Sequence, residues 1–307
     1  MIEINFGWVF LQLLLAFIVL LILYITTLVV MRIDSLVIEP TFKVKQREEA
    51  TIVDKQATAA SLSKTKFNTI FPFKNDYVKI PSSVNGTTGT QFTYQFWMKV
   101  NNTNEKPFED LVILLKGDNR KYGANFYDPK TLKLVPYLKQ NADYFVKCPL
   151  IKFADSYRNL IVEFNTVKHP NVKIPINLDG IDPQQNRKNL LTLLPLEWFL
   201  FTFVFEENYS VREGIENGIR FTFYLNDIPV VIVTGSTDIM LMDNSLRMND
   251  GDLFLFPNYE STDNLVNMAG VKYFNYAKTD GDVKGDFSRG QKSFKVGHSQ
   301  NLYSSIE

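Results

Sequence analysis

The pattern of apolar and polar positions divides the chain into two unlike parts. From Phe6 to Met31 it reads FGWVFLQLLLAFIVLLILYITTLVVM, about 26 residues without a charge, more than the roughly 20 that a helix needs to cross a bilayer core. In lipid a helix satisfies every peptide group within that one segment. The run therefore predicts a single N-terminal transmembrane α-helix, with Phe6, Trp8, Leu14, Phe17, Leu21, Tyr24 and Val29 among its anchor residues. A cleaved signal peptide is the competing reading. It is opposed by the absence of any basic residue before the run and by the length of the run itself.

After a polar connector the period changes to two. Gln91–Val100 alternates, with Phe92, Tyr94, Phe96, Met98 and Val100 on one face. Glu197–Phe205 alternates again, with Trp198, Leu200, Thr202 and Val204 on one side. Tyr77–Ile80, Leu111–Lys116, Asn159–Phe164, Asn171–Ile176, Leu253–Phe256 and Asn267–Tyr276 are further predicted strands. Arg220–Leu225 and Ile228–Val233, joined by Asn226-Asp227, predict a hairpin. No segment after the anchor shows a long helical period. Many short strands separated by turn residues indicate an all-β sandwich or jelly roll. The expected organisation is an anchor over 1–31, a juxtamembrane connector over 32–69, a sandwich over 70–280 and a polar tail over 281–307.

Charge sets the expected orientation. Arg32, Lys43, Lys45 and Arg47 follow the apolar run and no Lys or Arg precedes it, which favours the N-terminus outside and the large domain on the cytosolic side. A lone Cys148 agrees, since it can form no internal disulfide. The Asn-x-Ser/Thr sequons at Asn85, Asn101 and Asn208 point the other way. Lys and Arg total 33 against 33 acidic residues, so no basic excess suggests a nucleic-acid partner.

The order of motifs resembles a known family. FTYQFWMKV (Phe92–Val100) precedes VILLKG (Val112–Gly117), then LIVEFNT, IPINLDGI, PLEWFLFTFVFE, RFTFYLNDIPV, GDLFLFPN and NMAGVKYFNYAKT (Asn267–Thr279). Over roughly residues 70–280 this succession resembles the concanavalin A-like lectin/glucanase superfamily in its laminin-G and pentraxin-like branch. The version carrying CPLIKF and VEFNT resembles jelly-roll proteins of large double-stranded DNA viruses of eukaryotes. The resemblance implies an antiparallel concanavalin A-like jelly roll. It also implies a place in the virion between an internal membrane and the capsid shell, with major or other minor capsid proteins as partners. The alternative it leaves is a membrane-displayed lectin with glycans as ligands.

Candidate chemistry is sparse. Glycosidases need two carboxylates flanking the scissile bond, whereas Glu163 stands among apolar neighbours and Glu206-Glu207 sit at a strand end. Asp280, Asp282 and Asp286 superficially resemble a calcium loop but lack its spacing and closing Glu, and read as a solvated turn. Asn249–Asp252 reads as a hairpin turn. His169 and His298 are far apart in sequence and suggest no zinc site. Trp97 and Trp198 read as core residues. Tyr122, Tyr127, Tyr137 and Tyr144, in the irregular stretch 117–158, are the candidate partner or ligand contacts. The expectation is a non-enzymatic structural protein with no cofactor and no metal.

Overall fold

The computed structural model describes residues 15–26, 47–69, 77–81, 83–86, 89–103, 106–117, 125–128, 133–136, 146–179, 192–208, 217–249, 251–261 and 263–294. The chain forms two units, Met1–Gln46 and Arg47–Glu307. In the first, residues 15–26 form helix α1, whose large apolar side chains from Leu15 to Ile25 are all 44–65% exposed. Phe17, Leu21 and Tyr24 lie on it; Phe6, Trp8, Leu14 and Val29 lie outside the described residues. Among the described residues no helix is long and apolar enough to cross a membrane.

The second unit is an antiparallel β-sandwich. Its elements are β1 (Glu49–Val53), β2 (Ala57–Thr58), α2 (Ala59–Leu62), β3 (Lys66–Phe67), β4 (Val84–Gly86), β5 (Gly89–Val100), β6 (Val112–Gly117), β7 (Asn125–Asp128), β8 (Lys133–Pro136), β9 (Lys147–Phe153), β10 (Asn159–Phe164), β11 (Val172–Asn177), β12 (Trp198–Asn208), β13 (Gly218–Leu225), β14 (Ile228–Val233), β15 (Asp252–Leu255), β16 (Val266–Phe274) and α3 (Asp280–Gly290). One sheet runs β1-β16-β5-β12-β13-β14, with β2 on β16 and β4 on β5. The other runs β11-β10-β9-β6-β15-β3, and β7 and β8 pair as a separate hairpin.

The core follows directly from the period-two pattern. Phe92, Tyr94, Phe96 and Met98 of β5 and Phe199, Phe201, Phe203 and Phe205 of β12 point into the space between the sheets. There they meet Ile113, Ile151, Phe153, Val162 and Phe164 of the facing sheet. Phe205 stacks on Phe92 at 4.7 Å and takes the edge of Phe164 at 5.5 Å, so aromatic contacts bridge the two layers. The predicted hairpin is present: Asn226 adopts φ +59, a conformation Asn tolerates, and its Oδ1 accepts from Leu200 N at 3.0 Å. Pro229 lies in β14 at the sheet edge, where a missing ladder donor is tolerated.

Expectations are corrected at four points of the fold. The stretch 117–158, read as irregular, holds β7, β8 and β9, and β9 is central in the second sheet. Within the stretch read as a connector, β1 pairs with β16 from Glu49↔Phe274 onward, and β3 pairs with β15, so the sandwich starts well before residue 70. These strands are short and polar on one face, which is why pattern alone missed them. Tyr77–Ile80 is not a strand; Tyr77 makes only an isolated bridge to Asn68. The segment read as a solvated turn opening a polar tail is α3, docked on the outer face of the first sheet.

Helix α3 explains why Trp97 of β5 and Trp198, Leu200 and Val204 of β12 are apolar on the outer face. Trp97, Trp198, Leu200 and Ala269 face away from the core and are covered by Phe287 and Phe294. Phe294 lies 4.8 Å from Trp97 and 4.9 Å from Trp198, while Val283 packs on Val204 and Tyr224. A capping box starts the helix: Thr279 accepts from Asp282 N, and the Asp282 carboxylate accepts from Thr279 N. These bonds hold the Asp282 carboxyl below its ordinary range. Asp280 accepts from the Tyr224 hydroxyl at 2.5 Å, and Asp286 pairs with Lys278 and Arg289. Each acid of the supposed calcium loop thus has a separate structural partner. The Thr-x-x-Asp cap and the i, i+4 spacing of Val283 and Phe287 were the readable signals.

Candidate functional site

The strands bring their polar residues together at the end of the sandwich where β5 begins and β12 finishes. Glu207, at the end of β12, is buried and accepts from Thr90 N at 2.7 Å and Leu246 N at 2.6 Å. A carboxylate taking two backbone N–H groups is well satisfied, and it clamps the start of β5 to the loop between β14 and β15. Lys116, buried at the end of β6, donates to Asn249 O at 3.2 Å and to Gly251 O. Asn249 Oδ1 accepts from Gly251 N at 3.0 Å, and the chain leads from there into β15, which pairs with β6 and β3 rather than with the preceding β14, so the expected hairpin is not formed.

Glu163 is not alone. It points to the outer face of its sheet, where its carboxylate meets Lys147 Nζ at 2.6 Å and Lys152 Nζ at 3.6 Å. Lys152 continues to Asp110 at 2.8 Å. Adjacent strands bring these residues together (Glu163 lies opposite Leu150 in the ladder), a proximity no local pattern reveals. The buried carboxylates Glu163 and Glu207 are both engaged in structural bonds. Among the described residues no group of three or more His, Cys, Asp or Glu could hold a metal ion.

Cys148 is buried in the core, its Sγ 4.0 Å from Met248 Sδ. Burial pushes its thiol up to about 12 from an ordinary 9.0, and burial likewise raises the Tyr94 and Tyr273 phenols. Between pH 9 and 12 the folded chain keeps a proton that the unfolded chain has lost. This contribution is therefore complete below about pH 9 and is lost as pH rises. Thermal unfolding of the detergent-solubilised chain is expected to hold level from neutrality to about pH 9 and to fall above it, with Cys148→Ala reducing the slope. A Tm that stayed level to pH 11 would contradict this account.

An open polar cleft of about 280 Å³ lies between the turn from β9 to β10 and the end of β11. Asp155, Ser156, Arg158, Asn159, Asn177 and Asp179 line it. Arg158 pairs with Asp179 at 3.3 Å and Asn159 donates to Asp155 at 2.8 Å. Asn159 Nδ2 and the Asp155 turn hold the Asp155 carboxyl below its ordinary range. Neither periodicity nor motif order signalled this cleft, because Asn177 and Asp179 reach the 155–159 turn only through the β10-β11 register.

The sequence-predicted contact residues are only partly placed. Tyr127 lies on β7 opposite Leu134, while Tyr122, Tyr137 and Tyr144 fall outside the described residues. His298 does too. Trp97 and Trp198 are buried as expected, though beneath α3 rather than between the sheets. Of the sequons, Asn101 has its amide nitrogen, the atom a glycan would occupy, buried without a hydrogen-bond partner.

No protein-family model matches the chain, and no curated protein matches it. Solved structures do. The botulinum neurotoxin serotype G binding domain matches at 11% identity and TM-score 0.41, over 66% of this chain and 37% of that one. A botulinum neurotoxin type G receptor-binding domain matches at 10% identity and TM-score 0.41, over 79% and 46%. A structure of botulinum neurotoxin type C, whose cell entry depends on interaction with two ganglioside molecules, matches at 14% identity and TM-score 0.34, over 79% and 46%. The chain spans less than half the length of each of these three relatives.

Proposed function

We propose that this is a non-enzymatic, single-pass membrane protein whose N-terminal helix tethers a concanavalin A-like jelly roll to a bilayer. In this reading the N-terminus lies outside and the sandwich lies on the cytosolic side. There it joins an internal membrane to the capsid shell of a large DNA virus through major or other minor capsid proteins. The observation that carries the tether is the uncharged run Phe6–Met31, of which the helical part exposes every large apolar side chain from Leu15 to Ile25. Such a continuous apolar surface calls for lipid or a partner rather than water. The basic residues from Arg32 to Arg47 support the orientation, and the motif order supports the viral setting.

Deleting residues 1–31 is expected to move the protein from the carbonate-resistant membrane fraction to the soluble fraction. In assembled particles the same deletion should separate membrane from shell under electron microscopy. Retention in the membrane fraction would overturn the tether, and particles with the membrane still seated would overturn the capsid role.

The polar cleft favours a second reading, glycan binding. Its volume is at the lower end of ligand-site sizes, and it offers carboxylate, amide, hydroxyl and guanidinium groups of the kind that hydrogen-bond sugar hydroxyls. Binding of the full chain on a glycan array, lost in Arg158→Ala, would favour this reading. An array with no signal would remove it.

A further inference from the structure

Two loops hydrogen-bonded to each other at one end of the sandwich each present exposed apolar side chains. Val167, in the turn between β10 and β11, is 71% exposed, and Ile239, between β14 and β15, is 76% exposed. Met240 and Met242 are exposed beside Ile239. The loops are joined through Asn244, whose Nδ2 donates to Thr166 Oγ1 at 2.8 Å and to Met240 O at 2.7 Å, and whose Oδ1 accepts from Lys168 N at 3.1 Å. Val167 N donates to Ser245 O at 2.9 Å, and Met242 bridges to Gly218. Asp238 Oδ1 accepts from Met240 N at 2.9 Å, fixing the turn that presents Ile239. The side chains are therefore held outward by a hydrogen-bonded backbone. Lys168 and Arg247 are exposed in the same two loops.

The first described residues of the sandwich lie at the same end as these loops. Strand β1 begins at Glu49, opposite Phe274, which in turn lies opposite Thr93 near the start of β5. Glu48 N donates to Asn275 Oδ1 at 2.8 Å, and Arg47 lies over the Tyr276 ring at 4.9 Å. At the same end of β5, Gln91 lies opposite Glu206; two residues further along β12, Asn208 lies opposite Gly218, the bridge partner of Met242. Arg47 and the apolar loops are thus at the same end of the sandwich, across the width of the sheet. Residues 32–46 separate the apolar run from Arg47 and reach at most about 50 Å.

Resting on the tether reading above, we propose that Val167, Ile239, Met240 and Met242 form a second membrane contact, dipping into the headgroup region of the bilayer that the N-terminal run crosses. Interfacial binding scales with buried apolar area, and Lys168 and Arg247 offset the charge of exposed Asp243 and half-buried Asp238 in the same loops against anionic lipid. Four side chains bind weakly alone, but a short tether holds a weak partner at an effective concentration on the order of millimolar. The contact would set which end of the sandwich faces away from the membrane.

The test uses the full chain in phosphatidylcholine vesicles containing about a quarter phosphatidylserine. An environment-sensitive fluorophore is placed on Ile239→Cys, and in a second sample on Leu196→Cys. Leu196 is also exposed, but donates its N–H to Val100 O at the opposite end of β5. The expected result is blue-shifted emission at position 239, quenching there by doxyl-labelled lipid and shielding from iodide, with position 196 remaining open to iodide. Introducing Met240→Asp and Met242→Asp should abolish the lipid quenching at 239 while the protein stays carbonate-resistant. A carbonate-resistant protein with position 239 open to iodide would overturn this contact and leave the tether standing. Extraction by carbonate with lipid quenching retained at 239 would support the loop–lipid contact and overturn the tether. Shielding at 239 that rises with protein density without lipid quenching would assign the surface to a second copy and overturn the proposal.

Discussion

Phe205→Ala is expected to destabilise the sandwich by about 3–5 kcal/mol, the usual cost of deleting a fully buried aromatic side chain. Phe205 is 0% exposed and touches rings on both layers: Phe92 at 4.7 Å, Phe221 at 5.1 Å and Phe164 at 5.5 Å. The cavity would open between two hydrogen-bonded sheets, which have little freedom to close it. For a domain of this size the loss corresponds to a Tm decrease of roughly 6–20 °C. Thermal unfolding of the full chain in detergent reads it directly. Phe205→Leu should lose clearly less, because it keeps most of the volume and gives up mainly the ring contacts. An alanine variant within a degree of the parent would mean that the layers are not joined at this point.

Glu163→Ala is expected to cost a similar amount by a different route. Its carboxylate is 2.6 Å from Lys147 Nζ, and both side chains are buried, at 7% and 4% exposure. Removing the acid takes from a buried ammonium the carboxylate 2.6 Å away, and breaking a buried pair costs about 3–5 kcal/mol. Lys152, 20% exposed and already 2.8 Å from Asp110, moderates the loss only for its own charge. The informative comparison is Lys147→Met with Glu163→Leu, which removes both charges and fills the space. That double variant should unfold near the parent or above it, because desolvating the pair offsets much of its attraction. If both variants lost the same stability, packing rather than charge would account for the effect. Urea denaturation in detergent, read as the midpoint at unchanged slope, separates the cases.

Periodicity located β5, β10, β12 and β13 because their side chains obey one rule, whereas β9, central in the second sheet, lies in the stretch read as irregular. On β5, β10, β12 and β13, alternate residues enter one core, and the pattern in sequence is the pattern in space. Edge elements obeyed no such rule. Strand β1 buries only Ala50 and Ile52, and its identity comes from the β16 edge it joins. Helix α3 has a polar sequence, and only the Trp97–Trp198 surface makes a docked helix of it. Gly290 shows how close that docking is, since a Cβ there would lie 2.1 Å from the Trp97 ring.

The candidate sites follow the same division. Residue order alone revealed the long uncharged run, the lone cysteine, the balance of charge and the alternation that predicts a sandwich, because each is a property of neighbours along the chain. The Glu163–Lys147 pair, the Glu207 clamp, the cleft at Arg158 and the joining of the Val167 loop to the Ile239 loop link residues from 16 to 117 positions apart. They exist only because strand register brings distant loops to one end or one face. Register is set by which apolar faces pair across the core, and that was decided by the tertiary structure alone.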